Sequence, residues 1–177
     1  MFVLGWWALL VVVLVAAGAI GLTAFRYGLL PTLFGGAPYV PTSQEVVKLM
    51  LTLANVTPND RIVDLGSGDG RLVIAAAEAG VKSATGYEID AWSVHASRQL
   101  AKRRELSNAH FVCASFWKAP LHEVDVVFVY GLPPYMNRLA NKCRAELASG
   151  ARIVSLLYDL PGWTPDKIVE DVRFYTV

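Results

Sequence analysis

The sequence is poor in the residues that build covalent and metal frameworks. Only two cysteines occur in 177 residues, Cys113 and Cys143, and they lack C-x-x-C spacing. Neither a disulfide framework nor a zinc site follows from them. Cys113 stands in the apolar run Phe111-Val112-Cys113-Ala114 and is expected to be a small buried hydrophobe. The three histidines, His95, His110 and His122, have no ligand spacing, so no metal is expected. Excess charge of either sign is also missing: Lys and Arg total 16 against 15 Asp and Glu, a net charge of +1. No large basic field argues for nucleic acid as a partner. Nor is there a Gly-Lys-Ser/Thr ending that would mark a phosphate-cradling Walker loop.

The most local absence lies at the N-terminus, where no charged residue occurs from Met1 to Phe25. As a helix this run would be ~37 Å long at 1.5 Å per residue, enough to cross a ~30 Å hydrocarbon core with some tilt. Trp6 and Trp7 near one end and Arg26-Tyr27 at the other resemble interfacial anchors. A cleaved signal peptide is the competing reading, with Ala17-Gly18-Ala19 as a small-residue cleavage site. It lacks a basic n-region, and the apolar run exceeds an ordinary h-region. The expectation is therefore a transmembrane anchor over residues 1–26, a Gly-Pro linker over 27–37 and one folded domain over 38–177. Arg26 on the C-terminal flank places that domain on the cytoplasmic side.

What is present is concentrated in residues 61–71, RIVDLGSGDGR. A short apolar run ends in Asp64-Leu65, and Gly66, Gly68 and Gly70 follow at alternate positions before a helix-friendly stretch. Glycines let the backbone turn sharply and let a ligand touch main chain where a Cβ would block it. The helix start behind them offers unpaired N–H groups. The dinucleotide fingerprint G-x-G-x-x-G does not fit, because Arg71 stands where its last glycine belongs. What remains, D-x-G-x-G-x-G, resembles the first motif of S-adenosylmethionine-dependent methyltransferases. A leading acid suits a cofactor that carries an ammonium and a sulfonium rather than a pyrophosphate. Glu88, about 20 residues on and closing the next strand, stands where a carboxylate accepts ribose hydroxyls.

Around this turn the chain alternates strand and helix. Thr42 and Glu45 have capping-box spacing ahead of a helix that carries Val46, Val47, Met50, Leu51 and Leu53 toward a core. Asp90 is placed to cap a helix over residues 91–105, whose Arg98, Lys102, Arg103 and Arg104 read as a solvated face. Strands are expected over 110–114, 124–129 and 152–157. A helix over 135–147 stops at Ser149-Gly150. Residues 161–165 read as loop, and 172–177 as a last edge strand, leaving the final hairpin incomplete. The pattern implies a Rossmann-like α/β fold, a mostly parallel sheet with helices on both faces. Ligands of such sheets bind at the carboxyl ends of the strands, where Gly66, Glu88 and Tyr130 all fall.

Pro38-Tyr39-Val40-Pro41-Thr42, the run from Asp64 to Arg71, and Gly86-Tyr87-Glu88 together resemble the mitochondrial protein-lysine methyltransferases and their prokaryotic relatives. Those enzymes modify the adenine nucleotide translocase and the c-subunit of ATP synthase. Trp117-Lys118, Leu132-Pro133, Lys142 with Arg144, and the run 150–155 extend the likeness. The resemblance implies S-adenosyl-L-methionine as cofactor, with Asp64, Gly66, Ser67, Gly68 and Gly70 around its methionine end and Glu88 on the ribose. Ile89 and Phe116 would flank the adenine, and Thr42 would close from the N-terminal side. Ser115 departs from the pattern, because relatives tend to carry an acid there that takes the adenine amino group.

Transfer to an amine is an in-line displacement that needs alignment and a neutral nucleophile. Tyr130, Asn137 and the Leu132-Pro133-Pro134 carbonyls are the candidates on the acceptor side. The acceptor implied is a lysine of a membrane protein, reached by a domain held at the bilayer through Met1 to Phe25. Two other readings compete with it. One is a small-molecule or lipid acceptor; the other is a degenerate cofactor-binding module that interacts without turnover.

Overall fold

A computed structural model describes residues 3–24 and 40–177. The chain divides into two compact units, residues 1–39 and 40–177. Phe25, Arg26, the expected linker over 27–37, and Pro38-Tyr39 lie outside the described residues.

In the first unit the uncharged run forms helix α1, Val3–Ala24. Its side chains are described over residues 7–23 and are all exposed. That stretch is about 26 Å of helix at 1.5 Å per residue. Among the described residues no helix is long and apolar enough to cross a membrane. Polarity inside it is absorbed locally, as Thr23 Oγ1 donates to the Ala19 carbonyl at 2.7 Å.

The second unit is a seven-stranded sheet flanked by helices. In chain order it runs α2 (Gln44–Ala54), β1 (Arg61–Leu65), α3 (Arg71–Glu78), β2 (Ser83–Glu88), α4 (Ala91–Arg103) and β3 (Ala109–Cys113). A 3-10 turn at Phe116–Lys118 follows, then β4 (Val126–Val129), α5 (Pro133–Glu146), β5 (Arg152–Leu156), β6 (Lys167–Val169) and β7 (Val172–Thr176). Strand order is β3-β2-β1-β4-β5-β7-β6. β1 to β5 are parallel, and β7 runs antiparallel to both β5 and β6. Successive strands are added outward in one direction from β1 to β3 and in the other from β4 to β5, so the crevice above β1 and β4 is the switch point where such sheets take their ligands.

The central strands are apolar on both faces because both faces are covered. Ile62, Val126 and Phe128 join Val47, Met50, Leu72, Val73 and Val94 in one core. Val63, Val127, Val129 and Ile153 join Met136, Leu139 and Cys143 of α5 in the other. Burial there pushes the Cys143 thiol up to about 12. Arg152 pins the amino ends of the strands. It donates to the carbonyls of Ala54 at 2.7 Å and Asn55 at 2.9 Å and pairs with the buried Asp60.

Several expectations are corrected here. The cap of α2 is Ser43, whose Oγ accepts from Val46 N at 3.3 Å, so Thr42 with Glu45 forms no capping box. Thr42 stands one residue too early and is left to face the site. Cys113 is exposed, at the end of β3, the outermost strand of the sheet. Arg98, Lys102, Arg103 and Arg104 are all exposed, as a solvated face requires, and Arg98 in addition ties α4 to β3, its Nη2 and Nε donating to the Phe111 carbonyl at 2.5 and 3.1 Å. The C-terminal hairpin is present, since Lys167–Val169 forms β6 and makes β7 an inner strand. A three-residue strand with only Ile168 and Val169 apolar offers little periodicity to read.

Candidate functional site

Register sets the site. Asp64 pairs with Gly86 and Leu65 with Tyr87, while Leu65 also pairs with Val129, and Val129 with Ser155. The residues next in each chain (Gly66 and Tyr130 just past β1 and β4, Glu88 and Leu156 closing β2 and β5) therefore stand level along one edge.

The turn after β1 folds back on β2. Gly66 N and Ser67 N both donate to the Tyr87 carbonyl at 3.0 Å, and Gly70 N donates to Ser67 O at 2.8 Å. This path needs left-handed backbone at Gly66 (φ 95°), Gly68 (φ 52°) and Gly70 (φ 79°). Glycine adopts that region without steric cost. Glu88 closes the cradle from the neighbouring strand. Its Oε2 accepts from Gly68 N at 2.9 Å, and its Oε1 accepts from Ile89 N at 2.7 Å and Asp90 N at 2.9 Å. Asp90 in turn caps α4, accepting from Ser93 N at 2.9 Å.

Close approach is as tight as the turn. A Cβ on Gly86 would lie 2.5 Å from Ser67 Oγ, and one on Gly70 would lie 2.6 Å from Phe111 Cε1. Ser67 Oγ itself is buried with no hydrogen-bond partner. Asp64 is 7% exposed. Its carboxyl is raised to about 7, first by burial and then by the negative fields of Glu88 and Asp69. A carboxyl buried in the field of two other acids is stabilised in its charged form by a cationic partner. A ligand with an ammonium at one end and ribose hydroxyls further along supplies it, so these residues fit S-adenosyl-L-methionine.

At the expected adenine end, Ser115 and Phe116 are half-buried and open the 3-10 turn, where the Ser115 side chain makes no cap bond. Phe116 stacks on Trp117 at 4.6 Å between ring centroids, and both rings meet Tyr135 edge-on at 6.4 and 6.3 Å. Arg138 lies 4.1 Å over the Trp117 ring. The expected acceptor-side residues are dispersed. Tyr130 lines an open pocket of about 220 Å³, whereas Pro133 and Asn137 are exposed on the first two turns of α5 and take no part in its lining.

That pocket also draws on Thr42, Val46, Leu156 and Val172, with Leu157 and Glu170 beside them. Leu157 (φ 70°) and Glu170 (φ 52°) are left-handed without being glycine, and such strain gathers at functional positions. Leu157 N donates to the Asp171 carbonyl at 2.7 Å, which ties the end of β5 to the β6–β7 turn. Neither residue carries a signal in the sequence, because neither belongs to a type favoured at positive φ. Arg71 likewise stands out in the sequence only as a missing glycine. Its Nε donates to Asp69 Oδ1 at 2.9 Å, its Nη2 meets Asp69 Oδ2 at 2.5 Å, and its Nη1 donates to the Thr42 carbonyl. Among the described residues no group of His, Cys, Asp and Glu could hold a metal ion.

Comparison with known proteins agrees with this geometry. The ANTKMT methyltransferase domain matches residues 64–167. The lysine N-methyltransferase of the ATP synthase c-subunit from Rattus norvegicus is 40% identical over 131 residues, covering 73% of this chain and 59% of that protein. The adenine nucleotide translocase lysine N-methyltransferase of Mus musculus is 40% identical over 135 residues, covering 75% of this chain and 58% of that one. The chain thus spans somewhat over half the length of these two relatives. Among solved structures, an RNA methyltransferase from Salinibacter ruber in complex with S-adenosyl-L-homocysteine superposes with a TM-score of 0.74 at 36% identity. That match covers 77% of this chain and 93% of the other. A buried acid, a glycine turn and a carboxylate level with it on the next strand are thus found on a chain that belongs to the ANTKMT methyltransferase domain family, with S-adenosyl-L-methionine as its cofactor.

Proposed function

We propose that the protein is an S-adenosylmethionine-dependent protein-lysine methyltransferase, held at a membrane by its uncharged N-terminal run, that acts on a lysine of a membrane protein close to the bilayer surface. The observation that carries the acceptor assignment is the pocket lined by Thr42, whose carbonyl is bonded to Arg71 behind the glycine turn. Val46, Leu156 and Val172 give it apolar walls, and Glu170 and Asp171 stand at its rim. A long aliphatic stem ending in an amine matches that lining, and the relatives' names are those of lysine methyltransferases.

The cofactor, when bound, supplies a methyl group on a sulfonium. The chain's residues do the rest. Asp64 and the Gly66–Gly70 turn fix the methionine end, and Glu88 orients the ribose. Lysine in water has a pKa of about 10.4, so a neutral amine at pH 7 costs about 4.6 kcal/mol. The apolar walls reduce that cost by disfavouring the charged form. Tyr130 borders the pocket at the end of β4 and is placed to orient the amine. The rim carboxylates face solvent and can receive the departing proton.

The anchor reading rests on the sequence of residues 1–25, which holds no charge. Residues 26–39 reach at most about 50 Å at 3.5 Å per residue. A domain so tethered meets membrane-bound acceptors at high effective concentration. It lies on the cytoplasmic side, or the matrix side in mitochondria.

The test uses the full chain, radiolabelled cofactor and membranes from cells that lack the protein. Peptide mass spectrometry should find a methyl-lysine that depends on added enzyme. Label confined to lipids, small molecules or RNA would refute lysine as the acceptor. Removing residues 1–39 should reduce labelling of membranes far more than it reduces affinity for S-adenosylhomocysteine, and equal losses would refute the anchor. Protease protection should place the domain in the compartment where cofactor is made.

A further inference from the structure

We propose that Arg71 is a positioning residue that couples the cofactor turn to the acceptor pocket. The inference rests on the pocket's being the acceptor site, as proposed above. Arg71 opens α3 directly behind Gly70 and is half-buried, with 26% of its side chain exposed. Two of its guanidinium nitrogens, Nε and Nη2, grip the Asp69 carboxylate inside the glycine turn, and Nη1 holds the Thr42 carbonyl. Asp69 Oδ1 also accepts from Arg71 N at 3.2 Å, so the pair is fixed to the backbone at the helix start. A guanidinium is the one side chain whose planar fork meets a carboxylate in two places and still has a donor pointing elsewhere.

The Thr42 carbonyl matters because of where its neighbours stand. Val40, Pro41, Thr42 and Ser43 supply one continuous stretch of the pocket's wall, which Tyr130 and Leu156 also line. This wall lies ahead of α2, and Ser43 is the cap from which that helix starts. The Arg71 bond joins this wall directly to the cofactor turn. Asp69 sits between Gly68, whose N–H is held by Glu88, and Gly70. A ligand that settles Gly68 and Glu88 therefore also settles Asp69, then Arg71, and through Nη1 the wall of the pocket. The acceptor pocket takes its working shape once the cofactor turn is filled. Arg71 touches neither reacting atom in this scheme; it acts through the position of residues 40–43.

The consequence is readable without any acceptor. In hydrogen exchange on the full chain, saturating S-adenosylhomocysteine should slow the amides of the Val40–Val46 segment as well as those of Gly68 and Gly70. The expected slowing at 40–46 is roughly tenfold or more, the scale of one hydrogen bond to a charged group. In Arg71→Met the slowing at Gly68 and Gly70 should persist while that at 40–46 is lost. Arg71→Lys should keep a part of it, since an ammonium can reach one partner but cannot fork. With membranes as acceptor, Arg71→Met should raise KM for the acceptor about tenfold more than it raises Kd for S-adenosylhomocysteine. Unchanged coupling in both variants would overturn the proposal. Loss of protection at the turn and the wall together would also overturn it, because Arg71 would then serve the cofactor turn alone. If coupling appears as expected while the methylated product is not lysine, the coupling stands and only the acceptor assignment fails.

Discussion

On the β1–β2 side of the sheet's carboxyl edge, the site is shaped by backbone bonded to backbone and to one carboxylate. Gly66, Ser67 and Gly70 are held by the Tyr87 and Ser67 carbonyls, and Glu88 accepts from three N–H groups. On the β4–β5 side the same edge holds an open pocket whose lining comes from four separate stretches: 40–46, Tyr130, Leu156–Leu157 and Glu170–Val172. The first half is preformed and the second is assembled. A cofactor that is always the same can be met by fixed geometry, which lowers the entropy lost on binding. An acceptor that arrives on another macromolecule is better met by a wall that can be set late. The comparison can be broken or sharpened by substitutions on either side.

The largest effect should come from Gly70→Ala. The new methyl would lie 2.6 Å from Phe111 Cε1 and 2.7 Å from Ser97 Oγ, at a residue held at φ 79°. Overpacking and left-handed strain together should cost about 2–4 kcal/mol of stability. Thermal unfolding should show the loss, and calorimetry should show S-adenosylhomocysteine binding weakened with it. An unperturbed variant would mean that the turn is not as rigid as its contacts require.

Glu88→Ala comes next. Three backbone N–H groups lose their acceptor, and the ribose contact proposed for Glu88 goes with them. Affinity for S-adenosylhomocysteine should fall by about 1–3 kcal/mol, the range for leaving such bonds unmade. Tyr130→Phe, on the other half, should leave that affinity unchanged. If the two variants bind the cofactor equally well, the division between the halves fails.

This division also decides what can be read from the sequence. Gly66, Gly68, Gly70 and Glu88 are legible because positive φ and close approach demand particular residue types, and the distance between adjacent parallel strands fixes their spacing. The central strands are legible because burial on both faces leaves only apolar residues in 126–129. The pocket is not legible, since Val46, Leu156 and Val172 are ordinary core residues in any linear reading. Leu157 and Glu170 take left-handed conformations that their side chains do not announce. Arg71 looks like a failed glycine, and only the fold brings the Thr42 carbonyl to its guanidinium. β6 escapes a linear reading because its pairing with β7, rather than its own pattern, makes it a strand.

A change of pH should separate the halves more gently. Asp64 in the free protein titrates near 7, raised first by burial. An unfolded aspartate titrates near 3.9. Between those values the folded state keeps a proton that the unfolded chain has released, so this group's contribution to stability declines as pH rises from about 4 to 7. Cofactor binding runs the other way, because the ammonium favours the ionised carboxylate. Affinity for S-adenosylhomocysteine should rise by up to about tenfold per pH unit below 7 and level off above it, about 1.4 kcal/mol for each unit. Calorimetry from pH 5.5 to 8 measures the slope. Asp64→Asn should bind weakly with no slope, and a persisting slope would assign the titration to another group.

The smallest effect should be a gain, at the end of the cradle where the preformed half is least finished. Ser115 opens the 3-10 turn at Phe116–Lys118, yet its hydroxyl caps nothing, and the turn is held by the Ser115 carbonyl accepting from Lys118 N at 2.9 Å. The backbone at Ser115 is extended, with φ −60° and ψ 132°, so a longer side chain meets no conformational barrier. Aspartate has the same short reach but brings a charged acceptor. In Ser115→Asp that carboxylate is placed either to bond the adenine amino group or to cap the turn. A partly exposed charged hydrogen bond is expected to add about 0.5–1.5 kcal/mol. The two uses are separable. If the adenine takes the bond, S-adenosylhomocysteine should bind up to about tenfold more tightly while the melting temperature of the free protein stays put. If the turn takes it, the free protein should melt higher and the affinity should not move. The first outcome would mean that this half of the site carries an unfinished contact that one substitution completes. The second would place the adenine on the face of Phe116 and Ile89, held by packing and not by an acid.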